Sequence, residues 1–253
     1  MTIFRPHIAL SFPSTVWRLQ IDGQTDLLGI ELRNEADKQT SFASLNLVTG
    51  QMYFTDLTLP ERWLTGIEGI YQGIMLLHYY KQETGPEHKA IIAIDTATGA
   101  ERWSNYSLAL DHLAAAGPVV YNTNMLPKKL MLADILTGQT LRPFDAATDK
   151  PLENNIRTPA MLTAGELPPG ILPDEPYGNM VHYLNHNNYI IVSLHTLKNG
   201  ALQQHLYIIN NNEVIYHDLL NQDIQKLQPE AFVLHKNILV YIKNKAEIKA
   251  LKL

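Results

Sequence analysis

A chain of 253 residues with 45% apolar side chains can bury roughly 70 to 75% of the surface its unfolded form exposes, which makes it a folded protein of one domain or at most two. The absence of cysteine excludes disulfide scaffolds, CxxC zinc sites, iron–sulfur clusters and thiolate nucleophiles. Twenty Lys and Arg against 25 Asp and Glu give a formal charge of -5, so the chain lacks the basic excess that displaces counterions from a phosphate backbone, and nucleic acid is not an expected partner. Arg5, Pro6 and His7 stand where a secretory apolar core would begin, and no run of about 18 apolar residues occurs, so no membrane is expected and the chain reads as soluble and cytoplasmic.

In chain order, short runs rich in Ile, Val, Leu, Tyr and Phe alternate with Gly, Asn, Asp and Pro, the spacing of an all-β protein. Four-stranded units account for them. The first takes Val16 to Ile21, Leu27 to Leu32, Phe42 to Leu47 and Met52 to Leu57; the second Leu64 to Ile70, Ile74 to Tyr80, Ala90 to Ile94 and Glu101 to Tyr106. A third uses Ala114 to Val120, a poorly marked strand near Tyr121, Leu130 to Ala133 and Thr140 to Phe144. A fourth uses Asn179 to Leu184, Tyr189 to Leu194, His205 to Ile209 and Val214 to His217. Short helical patterns are read only at Leu108 to Ala116 and Leu219 to Leu227. The last unit has Ala231 to His235, Ile238 to Lys243 and Glu247 to Leu251, one strand short, while Ile3 to Ser11 is left over at the other end. The reading is a single β-propeller domain over residues 1–253, of about five four-stranded blades, closed by pairing of the N-terminal strand with the C-terminal blade. A Pro-rich insertion at about 145–179, with six of the fourteen prolines and no clear strand, is either solvated or a lid.

An internal repeat underlies this layout. Asn46, Asp95 and Asp134 each stand four residues before the glycine of a Thr-Gly pair, and the glycines Gly50, Gly99 and Gly138 are 49 and 39 residues apart. An Asx side chain that accepts from the backbone two residues on starts a turn, and glycine closes it at positive φ. Four residues past the glycine come Phe54 and Trp103, while the third copy has Arg142. A weaker fourth copy has Asn212 in the glycine position.

Ile92-Ala93-Ile94-Asp95-Thr96-Ala97-Thr98-Gly99-Ala100-Glu101-Arg102-Trp103 resembles the pyrroloquinoline-quinone-type repeat of the quinoprotein β-propellers, whose consensus runs apolar-Ala-Leu-Asp-x-x-Thr-Gly-x-x-x-Trp. The resemblance spans about half of the chain, implies propeller blades, and points to a small bacterial family carrying such repeats. It says little of chemistry, because the motif encodes a turn and a wedge between blades. The dehydrogenases of that superfamily hold their quinone against a vicinal disulfide, which a chain without cysteine lacks, and their calcium ligands and catalytic aspartate match no residue here. No cofactor is expected.

A propeller binds ligands at its channel, lined in this layout by the first strand of each unit. Those strands carry Arg18, Gln20, Asp22, Glu68, His182 and Glu230, with Ala114 to Ala116 leaving room. Arg18, Glu68, His182 and Glu230 are the candidate ligand-binding residues. His182-x-x-x-His186 has a metal-site spacing but Tyr183 where a zinc protease needs Glu. The six histidines from His182 to His235 read as scattered, and no metal site is assigned. Trp17, Trp63 and Trp103 read as interblade packing rather than a stacking surface. The C-terminal lysines Lys236, Lys243, Lys245, Lys249 and Lys252 read as edge-strand protection. No Walker A, GxSxG, GxGxxG or EF-hand pattern occurs. The expected function is a non-catalytic module that presents loops and a central channel to a protein or small ligand. The alternative is a glycosidase-like hydrolase using carboxylates such as Glu68 and Glu230. A β-sandwich would make the three turns coincidental.

Overall fold

The structure, a computed structural model of the chain, describes residues 4–229 and 231–253. The described chain is all-β, with five antiparallel sheets, each in the up-and-down order of a propeller blade, and with 3-10 turns as its only helical segments. No helix is long and apolar enough to cross a membrane. The strands are β1 (Ile8–Ser11), β2 (Thr15–Asp22), β3 (Leu27–Asn34), β4 (Gln39–Asn46), β5 (Met52–Leu57), β6 (Thr65–Tyr71), β7 (Ile74–Tyr80), β8 (His88–Asp95) and β9 (Glu101–Asn105). There follow β10 (Leu108–Ala114), β11 (Gly117–Asn122), β12 (Leu130–Ala133), β13 (Thr140–Pro143), β14 (Ile156–Arg157), β15 (Ala160–Thr163) and β16 (Met180–His186). The remainder are β17 (Tyr189–Lys198), β18 (Ala201–Asn210), β19 (Glu213–Ile224), β20 (Val233–His235), β21 (Ile238–Lys243) and β22 (Glu247–Lys252).

Two compact units result. Ser14–Asn155 holds three blades, β2-β3-β4-β5, β6-β7-β8-β9 and β10-β11-β12-β13. Their middle strands bury both faces, so they read as unbroken apolar runs. On β7, Met75, Leu77 and Tyr79 join Phe42 and Ile67 in one core cluster, while Ile74 and Leu76 join Leu108 and Val120 in the next. The other unit joins the N-terminal residues to Ile156–Leu253. Its sheets are β15-β16-β17-β18-β19 and β14-β20-β21-β22-β1. The expected closing pair is there, with Ile8 opposite Ala250 and Ser11 opposite Glu247.

The repeat is a turn with a socket. In all three copies the Asx Oδ1 accepts the N–H groups two and three residues on, at 2.8 to 3.0 Å, and the glycine N–H donates back to the Asx carbonyl at 2.8 to 2.9 Å. Gly50, Gly99 and Gly138 take φ of 71 to 75°. In the second and third copies the bare glycine then receives the aromatic of the preceding blade. A Cβ on Gly99 would lie 3.3 Å from the Phe54 ring, and one on Gly138 would lie 2.5 Å from the Trp103 ring, whose Nε1 donates to the Ile135 carbonyl at 2.8 Å. In the third copy Arg142 instead forms a two-pronged pair with Asp149, at 2.6 and 2.7 Å. The fourth turn uses Asn211 and Asn212, both at positive φ, as a two-residue hairpin loop between Asn210 and Glu213.

Four expectations need correction. Leu108 to Ala116 is a strand and turn rather than a helix, because Asp111 is an extra bulge residue between the Leu110–Val120 and His112–Val119 pairs, and the bulge breaks the period of two. The third blade therefore starts one strand earlier, and Ala115 and Ala116 form the turn after β10. Leu219 to Leu227 continues the bulged strand β19 and does not form a helix. The 145–179 segment is not strand-free: β14 and β15 extend two sheets, and Leu167 and Ile171 are buried against Val181, Val192, Leu194 and Tyr207. Lys243 and Lys249 do not guard an edge. β22 is paired on both sides, and the two ammonium groups donate to Asp218 at 2.6 and 2.8 Å. Burial alone would raise the Asp218 carboxyl, but hydrogen bonds from Lys243, Lys249 and Tyr241 outweigh it and hold the group below the usual carboxylate range.

The socket gives the first prediction. Gly138→Ala costs the left-handed conformation, about 1 to 2 kcal/mol, and must also displace Trp103. Gly200→Ala, at φ 81° with nothing within 4 Å, pays the first cost alone. Urea unfolding of the two variants should show the larger loss for Gly138→Ala; equal losses would mean that the indole is not seated on the glycine.

Candidate functional site

The site lies between the first two blades of the Ser14–Asn155 unit, and β-bulges build it. In β6 the register slips between the Ile67–Leu77 and Gly69–Leu76 pairs, so Glu68 is the unpaired extra residue, as Trp17 is in β2 and Asp111 in β10. Between β7 and β8 the register slips again, between the Leu77–Ile92 and Tyr79–Lys89 pairs, and buried Ala90 takes φ 63°. A bulge re-aims the side chain it carries, and here two bulges turn Glu68, His78 and His88 toward one another.

Glu68 Oε1 accepts from His88 Nδ1 at 2.5 Å. His78 Nδ1 is 3.3 Å from the same oxygen but makes no hydrogen bond to it, and neither ring nitrogen of His78 finds a hydrogen-bond partner. The two imidazoles stack, with centroids 3.6 Å apart and planes at 12°, and Tyr80 meets both edge-on. His78 is fully buried, the Glu68 side chain is 12% exposed and that of His88 25%, so the cluster reaches solvent through His88. Burial pushes the His78 imidazole down to about 3, and the positive charges of His88, Arg18 and Arg33 add to this. His78 is thus neutral at physiological pH, with a lone pair free to accept or to ligate.

The surrounding charges are spent on structure. Arg18 donates to the Ile67 carbonyl at 2.9 Å. Buried Glu31 accepts from the Ile67 N–H at 3.0 Å and from Arg33 at 2.8 Å. The Arg33 guanidinium carbon lies 4.8 Å from the Trp17 ring and 5.2 Å from the Trp63 ring, so these two indoles flank a cation and only Trp103 is seated on the glycine socket of a neighbouring blade. Asp22 accepts from Gln24 N, Thr25 Oγ1 and Gly73 N, which ties the first blade to the second. Gly66 is where a side chain cannot fit: its Cβ would lie 3.0 Å from His78 Cε1 and 3.1 Å from Glu31 Oε2.

Of the sequence candidates, Arg18 and Glu68 stand in this unit on β2 and β6, and both border the cluster. His182 belongs to the other unit, on β16 opposite Met161 and Ser193, and its Nε2 has no hydrogen-bond partner. Glu230 lies outside the described residues. His78 and His88 were not singled out by sequence reasoning, since each sits in a strand whose alternation carries no mark of a bulge. The signal that was available is the single imidazole inside the apolar run Ile74–Tyr80.

Within the other unit, His195 is 4% exposed, and its Nε2 accepts the Gln228 N–H at 3.0 Å. Burial first, then the charges of His182 and His205, push it down to about 4. Because this folded value lies below the ordinary one of about 6.5, the stabilisation is complete above pH 6.5 and is lost as pH falls toward 4, where only the unfolded chain takes up the proton. The loss is at most about 1.4 kcal/mol per pH unit for such a histidine. Melting temperatures between pH 7 and 4.5 should fall steadily, and less steeply for His195→Gln. Parallel curves would remove His195 from the account.

Residues 21–103 match the family model described as "Domain of unknown function (DUF4905)", a stretch that contains Glu31, Glu68, His78 and His88. No curated protein matches the chain. Among solved structures, BamB from Moraxella catarrhalis is similar at 10% identity and a TM-score of 0.36, over 93% of this chain and 84% of that one. A eukaryotic initiation factor is similar at 10% identity and a TM-score of 0.34, over 94% of this chain and 52% of its own.

Proposed function

We propose that the protein is a non-catalytic binding module, built of quinoprotein-type blades and holding a small ligand where the first blade meets the second. The observation that carries this reading is the buried His78 ring with two unpartnered nitrogens. A buried polar group without a partner costs about 1 to 3 kcal/mol, and structures keep such groups mainly where a ligand, ion or reaction makes use of them. The neighbouring Arg18, Glu31, Arg33 and Asp22 are each hydrogen-bonded within the fold, which supports binding over catalysis. The shared Asx-Thr-Gly turn geometry supports the kinship with quinoprotein repeats.

A ligand bound only by the folded state stabilises it by RT ln(1 + [L]/Kd), about 2.7 kcal/mol at a hundredfold excess over Kd. A thermal-shift panel of sugars, phosphorylated metabolites, quinones, nucleotides and divalent metals, with a chelator control, should return a saturable rise from one class. The His78→Phe variant, which replaces the orphaned ring by an apolar one of similar shape, should melt no lower than the unliganded parent and lose the rise. A flat panel, or a rise undiminished in His78→Phe, would sink the reading.

A further inference from the structure

We infer that the ligand of this site is a divalent first-row transition-metal ion, held by one imidazole nitrogen each from His78 and His88 and one carboxylate oxygen of Glu68. The inference rests on the binding-module reading and gives its ligand a chemical class.

The three donor atoms all lie within 4.8 Å of one another, so shifts of under about 1 Å bring them within the roughly 4.4 Å that ligands at about 2.0 to 2.2 Å from one ion can span. Two neutral imidazoles and a carboxylate are the borderline donor set of zinc and its first-row neighbours, while calcium and magnesium favour all-oxygen shells. The buried His78 is an independent sign, because neither of its ring nitrogens has a hydrogen-bond partner. His78 is held by stacking on His88 and by the edge of Tyr80; because an imidazole ligates in its ring plane, the partly exposed His88 turns out of the stack for both rings to reach one ion. The Glu68 oxygen that His88 and His78 both approach is the third ligand. An ion seated there takes the place of the His88 Nδ1 proton, and Glu68 draws back by less than about 1 Å to open room for it.

Metal-bound histidines commonly donate their other ring N–H to a carboxylate, and Glu31 Oε2 borders the space left by Gly66 together with His78 Nε2, with no hydrogen bond between the two. The Arg33 charge beside it is matched by Glu31. Three protein donors leave at least one coordination position open on the solvent side, beside the partly exposed His88, where water or an anionic group of a larger partner completes the shell.

The test is isothermal titration of the chelator-treated full chain with Zn2+, repeated with Co2+ followed by visible d–d absorption. The expected result is one high-affinity equivalent, a Zn2+-dependent rise in melting temperature, and a Co2+ spectrum of low-symmetry nitrogen and oxygen coordination. His88→Ala and Glu68→Gln change partly exposed side chains, should fold, and should each weaken Zn2+ binding by on the order of 100-fold. Absence of a stoichiometric site in the parent would overturn the inference, and so would a site unchanged in both variants, which would place the metal elsewhere. If Zn2+ and Co2+ fail but another class gives a saturable shift that His78→Phe abolishes, the metal falls and the binding module stands.

Discussion

The structure depends on what happens at one atom of each turn, the glycine Cα that carries no side chain. Positive φ closes the hairpin, and the open space beside the same residue admits Phe54 or Trp103 from the blade before. One residue type therefore meets a backbone requirement and a packing requirement together, and the spacing between blades is set where the two coincide. The cores on either side of β7 and β8 follow from that spacing, since Met75 and Leu77 reach one neighbour and Ile74 and Leu76 the other. Where the wedge is missing, after Gly138, Arg142 instead pairs with Asp149 within its own segment of chain.

Buried polar groups are treated in two ways. Asp218 is surrounded by two ammonium groups and a phenol, Asp22 by three donors, and Glu31 by a guanidinium and a backbone N–H. Each accepts two or more hydrogen bonds from the fold, the condition under which a buried carboxylate is tolerable. His78 is neutral and unsatisfied. His78 differs from these carboxylates, and also from His182, where one ring nitrogen alone lacks a partner, in having both ring nitrogens without one.

Much of the architecture was legible in the sequence. The Asx-Thr-Gly turns have a mechanism that survives without context, and strands such as Ile74 to Tyr80 were placed to the residue. The third blade was misread because the bulge at Asp111 disturbs the alternation on which strand recognition relies. The same device hid the site. Glu68 was picked out as a residue of a first strand, but its meeting with His78 and His88 depends on bulges at Glu68 and Ala90 that add a residue on one strand only, and pattern reading takes both strands as regular. Lys249 was misjudged for another reason: whether the last strand is an edge depends on β1, more than 200 residues earlier.

That last pairing also bears on the order of synthesis. The Ser14–Asn155 unit is made of hairpins between neighbours in the chain and can close as it leaves the ribosome. The unit containing β1 is interrupted by that whole stretch, so β1 waits for β22, with which it pairs. Until β22 emerges, β1 has no ladder partner and the final sheet stays open at that edge. Completion of this sheet therefore has a long loop to close, and an unpaired strand edge is open to wrong pairing until it does.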